Sequence, residues 1–112
     1  MLVFPKKFIG SCCFDYEPIQ IERAIYRSNT EIVIEFNSEG YLYTVSLKSQ
    51  DGRIFSGQYV ATKGRDKSNS EVSARVYWDE LGPLLIGNWS ENGRATWLAR
   101  LNEVEHFEDE KA

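Results

Sequence analysis

The chain has 112 residues, 42% of them apolar and 27% charged, with a formal net charge of −4. That is the size of one domain able to bury a continuous core without disulfides or metal. It excludes a membrane-crossing helix, since no apolar run approaches roughly 18 residues, and its negative charge opposes nucleic-acid phosphates.

In the N-terminal segment, residues 1–18, the apolar stretch MLVFPKKFIG is short and broken by Pro5, Lys6 and Lys7. It lacks the apolar centre of a secretory signal, so the expected compartment is the cytoplasm. Leu2 to Ile9 is the one strand candidate in this segment. Cys12 and Cys13 are adjacent and are the only cysteines. They offer neither a long-range disulfide framework nor a CxxC site, which fits a reducing compartment. Nothing cationic adjoins them to activate a thiol, so they are expected to be structural and buried.

From Ile19 onward, apolar and polar residues alternate with period two between turn signals about ten residues apart, the pattern of an all-β meander. The predicted strands are Ile19 to Arg27, Glu31 to Phe36, Tyr41 to Lys48, Arg53 to Ala61, Glu71 to Trp78, Leu84 to Ser90 and Arg94 to Val104. With Leu2 to Ile9 they number eight.

Loop length decides which residues share a face, because a slip of one residue inverts a strand. A two- or four-residue turn at Asn37-Ser38-Glu39-Gly40 sets Ile32, Ile34 and Phe36 on the side of Tyr41, Tyr43, Val45 and Leu47. A three-residue loop Gln50-Asp51-Gly52, with Gly52 left-handed, opposes Leu47 to Phe55, Val45 to Gly57 and Tyr43 to Tyr59. Glu31, Glu35, Thr44, Ser46, Lys48, Ser56 and Gln58 then make a solvated outer face. In Gly87-Asn-Trp-Ser-Glu-Asn-Gly-Arg-Ala-Thr-Trp97 a three-residue loop Glu91-Asn92-Gly93 pairs Trp89 with Ala95 and Gly87 with Trp97. Both indoles then face inward, with Gly87 making room for Trp97. A two-residue loop would turn Trp89 outward. The one long connection, residues 62–70, is polar and carries Lys63, Arg65 and Lys67, a small basic patch suited to a surface loop. Residues 105–112 read as a solvated acidic tail.

Eight antiparallel strands in sequence leave exposed edges unless the sheet closes, so the expected fold is a single all-β domain, an up-and-down meander forming a closed or nearly closed barrel. A curved open sheet that dimerises and two packed sheets are the alternatives. The short hairpins, the Phe55-Ser-Gly57-Gln-Tyr59 pattern and the late strands bearing tryptophan resemble the calycin barrels of avidin and lipocalin type. The resemblance covers residues 19–104 and is architectural. The lipocalin Gly-x-Trp near the first strand is missing, since the first tryptophan is Trp78, and no ligand residues carry over.

The chemistry points away from an enzyme. His106 is the only histidine and sits in the acidic tail, leaving no nucleophile a base. Asp79-Glu80, or Glu35 with Glu91, are the carboxylate pairs a hydrolase would use, but Asp79-Glu80 lies in a turn. No metal spacing and no cofactor motif occurs. Six Tyr, six Phe and three Trp supply abundant aromatic surface. The leading expectation is a non-enzymatic protein that binds a protein partner, as an inhibitor, immunity or regulatory factor, through Lys63, Arg65, Lys67 and the outward-facing Tyr26 and Tyr77. Homo-oligomerisation is compatible with it. The second is a carrier or sensor whose barrel mouth, lined by Tyr43, Tyr59, Trp89 and Trp97, takes a small apolar or planar ligand. The third is a carboxylate-dependent hydrolase.

Overall fold

The computed structural model describes residues 4–13, 18–38, 40–62, 70–90 and 94–107. Eight strands follow in order: β1 (Lys6–Cys13), β2 (Pro18–Ser28), β3 (Glu31–Ser38), β4 (Tyr41–Ser49), β5 (Ile54–Thr62), β6 (Ser70–Asp79), β7 (Gly82–Ser90) and β8 (Arg94–Val104). Each pairs antiparallel with the next, and β1 pairs with β8 from Lys7↔Val104 to Cys13↔Leu98, closing an up-and-down barrel with no free edge. Alternate residues point inward and form one apolar core, while the outer surface carries the charges. That polarity is the reverse of a membrane-spanning barrel's. Among the described residues no helix is long and apolar enough to cross a membrane.

The hairpin registers follow from turn chemistry. Ser38 pairs with Tyr41, a two-residue connection in which Gly40 takes a φ of 86°. Ile32, Ile34, Val45 and Leu47 then share the inner face as expected, but Tyr41 is exposed where its strand begins. Ser90 pairs with Arg94, Trp89 with Ala95 and Gly87 with Trp97, the three-residue solution for the last hairpin. Residues 91–93 themselves fall outside the described part.

Between β4 and β5 the expected pairs are displaced by two residues. Leu47 opposes Gly57, Val45 opposes Tyr59 and Tyr43 opposes Ala61. The faces are unchanged because two is the side-chain period. The slip comes from Asp51, whose carboxylate accepts the backbone N–H groups of Arg53 and Ile54 at 2.9 and 3.1 Å, while Ser49 Oγ accepts those of Asp51 and Gly52. This closed cage holds a longer loop than three residues, with Gly52 left-handed at a φ of 78°. The same contacts hold the Asp51 carboxyl below its ordinary range, the Arg53 N–H contributing most.

Two sequence expectations fail for local reasons. In β2, Ile21 opposes Phe36 but Arg23 opposes Glu35, and across β1 Phe8 opposes Ala24 while Gly10 opposes Ile21. One extra residue therefore sits at Glu22-Arg23, a β-bulge that reverses the alternation beyond it. Ala24 and Tyr26 turn into the core, and Ile25 turns out. Tyr26 is thus buried rather than outward-facing. At the other end, residues 105–107 are not a free tail. Phe107 is buried on the outside of the barrel beside β1 and β2, with the Arg23 guanidinium 4.4 Å and the Lys7 ammonium 5.5 Å from its ring centre. β1 also lies later in the chain than Leu2 to Ile9, which makes Cys12 and Cys13 strand residues.

Candidate functional site

The four rings expected to line a mouth do meet. Tyr43 (β4), Tyr59 (β5), Trp89 (β7) and Trp97 (β8) gather with Phe36 (β3) at the end of the barrel that carries Gly40. Tyr59 stacks on Trp89 at 4.3 Å between ring centres, Tyr43 stacks on Phe36 at 5.1 Å, and Trp97 meets Trp89 edge-on at 5.8 Å. Trp89 is 4% exposed and Trp97 1%. Trp97 pairs with Gly87, and its Nε1–H donates to the Ser73 carbonyl of β6 at 3.0 Å, the same carbonyl that a side chain at residue 87 would overlap. At this end of the barrel the rings pack on one another.

No protein-family model, curated protein or solved structure matches the chain.

The opposite end, which carries Gly52, holds a second aromatic group that the alternation missed. The bulge in β2 brings Tyr26 into a cage of Phe4, Phe8, Phe55 and Trp78, with ring centres 5.5 to 6.4 Å from its own. Lys6 and Glu103 close the rim with an ion pair of 2.9 Å across the β1–β8 seam. The run Val72, Ala74, Val76, Trp78 carries a legible signal for Trp78, since all four share inward parity. Trp78 nevertheless stands at the rim, 48% exposed.

On the outer wall, a cross-strand row runs Ile54↔Arg75↔Ile86↔Leu98 over β5, β6, β7 and β8. All four are exposed. Tyr77, expected to face outward, does so beside Arg75, whose guanidinium lies 5.6 Å from its ring centre. Among the described residues no carboxylate forms an ion pair with Arg75. Lys63, Arg65 and Lys67 lie outside the described residues. A groove of about 710 Å³ also crosses the outer wall of β4 to β7, walled by short polar side chains such as Ser46, Gln58, Ser73 and Asn88. It contains no ring or thiol.

Of the carboxylates a hydrolase would use, Asp79 is held in a turn. Asp79 accepts two hydrogen bonds from Arg100, at 2.8 and 3.0 Å, and the Leu81 N–H at 2.9 Å. The Arg100 contact first, then that N–H, holds its carboxyl below the ordinary range, which suits a turn anchor. Glu35 sits opposite Thr44 on the outer wall, and Glu91 lies outside the described residues. Among the described residues no three His, Cys, Asp or Glu side chains gather to hold a metal ion. His106 is exposed.

Cys12 is buried and Cys13 half-buried, both as free thiols. Burial, then the neighbouring Cys13, pushes the Cys12 thiol up to about 12. Iodoacetamide at pH 8 is accordingly expected to spare Cys12 in the folded protein and to label it once urea unfolds the chain, as peptide mass mapping would read. Rapid labelling of Cys12 in the native state would contradict its burial. The sign for stability follows: the unfolded chain ionises this thiol near its ordinary value of 9.0, the folded chain only near 12. Stability from this group is therefore full below pH 9 and falls as pH rises toward 12.

Proposed function

We infer that the protein is a non-enzymatic binding protein that recognises a protein partner through the outer wall of β5 to β8. The observation that carries this reading is the row Ile54, Arg75, Ile86 and Leu98 with Tyr77 beside it. Arginine and tyrosine in an apolar surround are the side chains that dominate interface energetics. In a chain of net charge −4, a cation with no ion pair among the described residues, amid apolar side chains, fits a partner that places an acidic side chain within an apolar surface. The eight-strand meander closed between its first and last strands supports grouping the architecture with the calycin barrels. The carrier reading draws less support at the Gly40 end, since Tyr59, Trp89 and Trp97 pack on each other.

The test compares wild type with Arg75→Glu and Ile86→Asp, each checked for native circular dichroism. Sedimentation first establishes whether the purified chain self-associates. A partner kept by wild type is expected to be lost with either substitution, at a cost of at least about 2 kcal/mol in affinity for a central interface position. Retention of the same proteins by all three forms, with a monomeric wild type, would end this reading.

A further inference from the structure

The Gly52 end of the barrel poses a problem that packing does not explain. The Tyr26 hydroxyl is buried with no hydrogen-bond partner, in a residue only 2% exposed. Leaving such a group unsatisfied is destabilising, and phenylalanine would fill the same cage without that cost. The cage is also asymmetric. Phe8 and Phe55 are buried beneath Tyr26, whereas Trp78, with its ring centre 5.5 Å away, leaves about half of its surface in solvent. Of the three indoles it is the one that can swing outward with little loss of buried area, because Trp89 and Trp97 are held within the packed interior. Lys6 and Glu103 pair with one another at the rim.

We propose that this mouth is a binding site for a planar, uncharged aromatic carbonyl compound, which stacks against Trp78 and accepts a hydrogen bond from the Tyr26 hydroxyl. The supporting features are a buried donor without a partner among the described residues, a half-exposed indole beside it, and three further rings, Phe4, Phe8 and Phe55, around Tyr26. Burial raises the Tyr26 pKa, so the phenol stays protonated and acts as a donor throughout the neutral range. The inference is independent of the outer wall, since Tyr26 faces the interior and the row on β5 to β8 faces away from it.

Coumarin and naphthalene make a matched pair of probes, planar bicycles of similar size of which only coumarin carries a carbonyl acceptor. Titrations of the whole protein are followed by the three tryptophan indole N–H resonances, assigned with Trp78→Phe. Coumarin is expected to bind wild type about tenfold more tightly than naphthalene, the worth of one net hydrogen bond, and to shift the Trp78 resonance most. Tyr26→Phe should abolish that preference while raising the melting temperature, an increase that a tyrosine with a purely structural hydrogen bond would not give. Trp78→Ala should weaken both probes together. Equal affinities on wild type, a preference that survives Tyr26→Phe, a shift confined to Trp89 or Trp97, or no saturable binding of either probe would each overturn the proposal.

Discussion

Gly87→Ala is expected to destabilise the protein by about 3 kcal/mol, a large part of the 5 to 15 kcal/mol that holds a domain of this size together. A methyl group at residue 87 would overlap the Ser73 carbonyl oxygen and crowd the Ala74 backbone. Those atoms cannot retreat, because β6 is paired on both sides and the Ser73 carbonyl also accepts the Trp97 indole N–H. The substitution therefore strains the β6–β7 seam and crowds the carbonyl that holds the Trp97 indole. Gly40→Ala is the fitting control. A methyl there meets nothing within 4 Å, and the φ of 86° alone should cost about 1 kcal/mol. Urea melts of the two variants check the contrast, and equal midpoints would mean that close approach at residue 87 is not what the glycine provides.

Trp89→Ala should be as severe, about 3 to 5 kcal/mol, with loss of near-ultraviolet circular dichroism from the coupled rings. Its indole stacks on Tyr59 at 4.3 Å and touches Phe36, Tyr43 and Trp97, so truncation opens a cavity that four other rings border. Trp78→Ala removes a side chain that is half in solvent, and the expected loss is about half as great. Chemical denaturation of both variants separates a filled end of the barrel from a yielding one. Should Trp89→Ala cost no more than Trp78→Ala, the Gly40 end is roomier than its ring contacts imply.

The alternation of apolar residues was enough to read the meander and, Tyr41 apart, the inner faces of β3 and β4, while closure followed from the need to leave no sheet edge exposed. Choosing a three-residue Glu91-Asn92-Gly93 loop, by analogy with Gln50-Asp51-Gly52 and because it sets Trp97 beside Gly87, was what placed Trp89 and Trp97 together; the Asn92-Gly93 pair alone is equally a two-residue turn signal that would separate them. Two things were hidden, both because they depend on register that the alternation does not reveal. The extra residue at Glu22-Arg23 leaves no compositional mark, since two polar residues in succession also occur in regular strands, and it alone decides that Tyr26 faces the core. The Asp51 cage moves the β4–β5 pairing by a whole period, which side-chain alternation cannot register. The row from Ile54 to Leu98 was invisible for a different reason. Its members are isolated apolar residues on four strands, and only the combined registers bring them side by side.

The seam between β1 and β8 bears on how the chain reaches this structure. Seven of the eight pairings join strands that follow one another, so they can form as local hairpins in any order. The eighth brings together partners such as Lys6 and Glu103, 97 positions apart, and its loop-closure entropy is recovered only when the rest of the sheet has curled. Closure is therefore the late event. Until it occurs, β1 and β8 are two open edges of a sheet whose apolar face is still wet, the state in which a growing chain is most exposed to pairing with its neighbours.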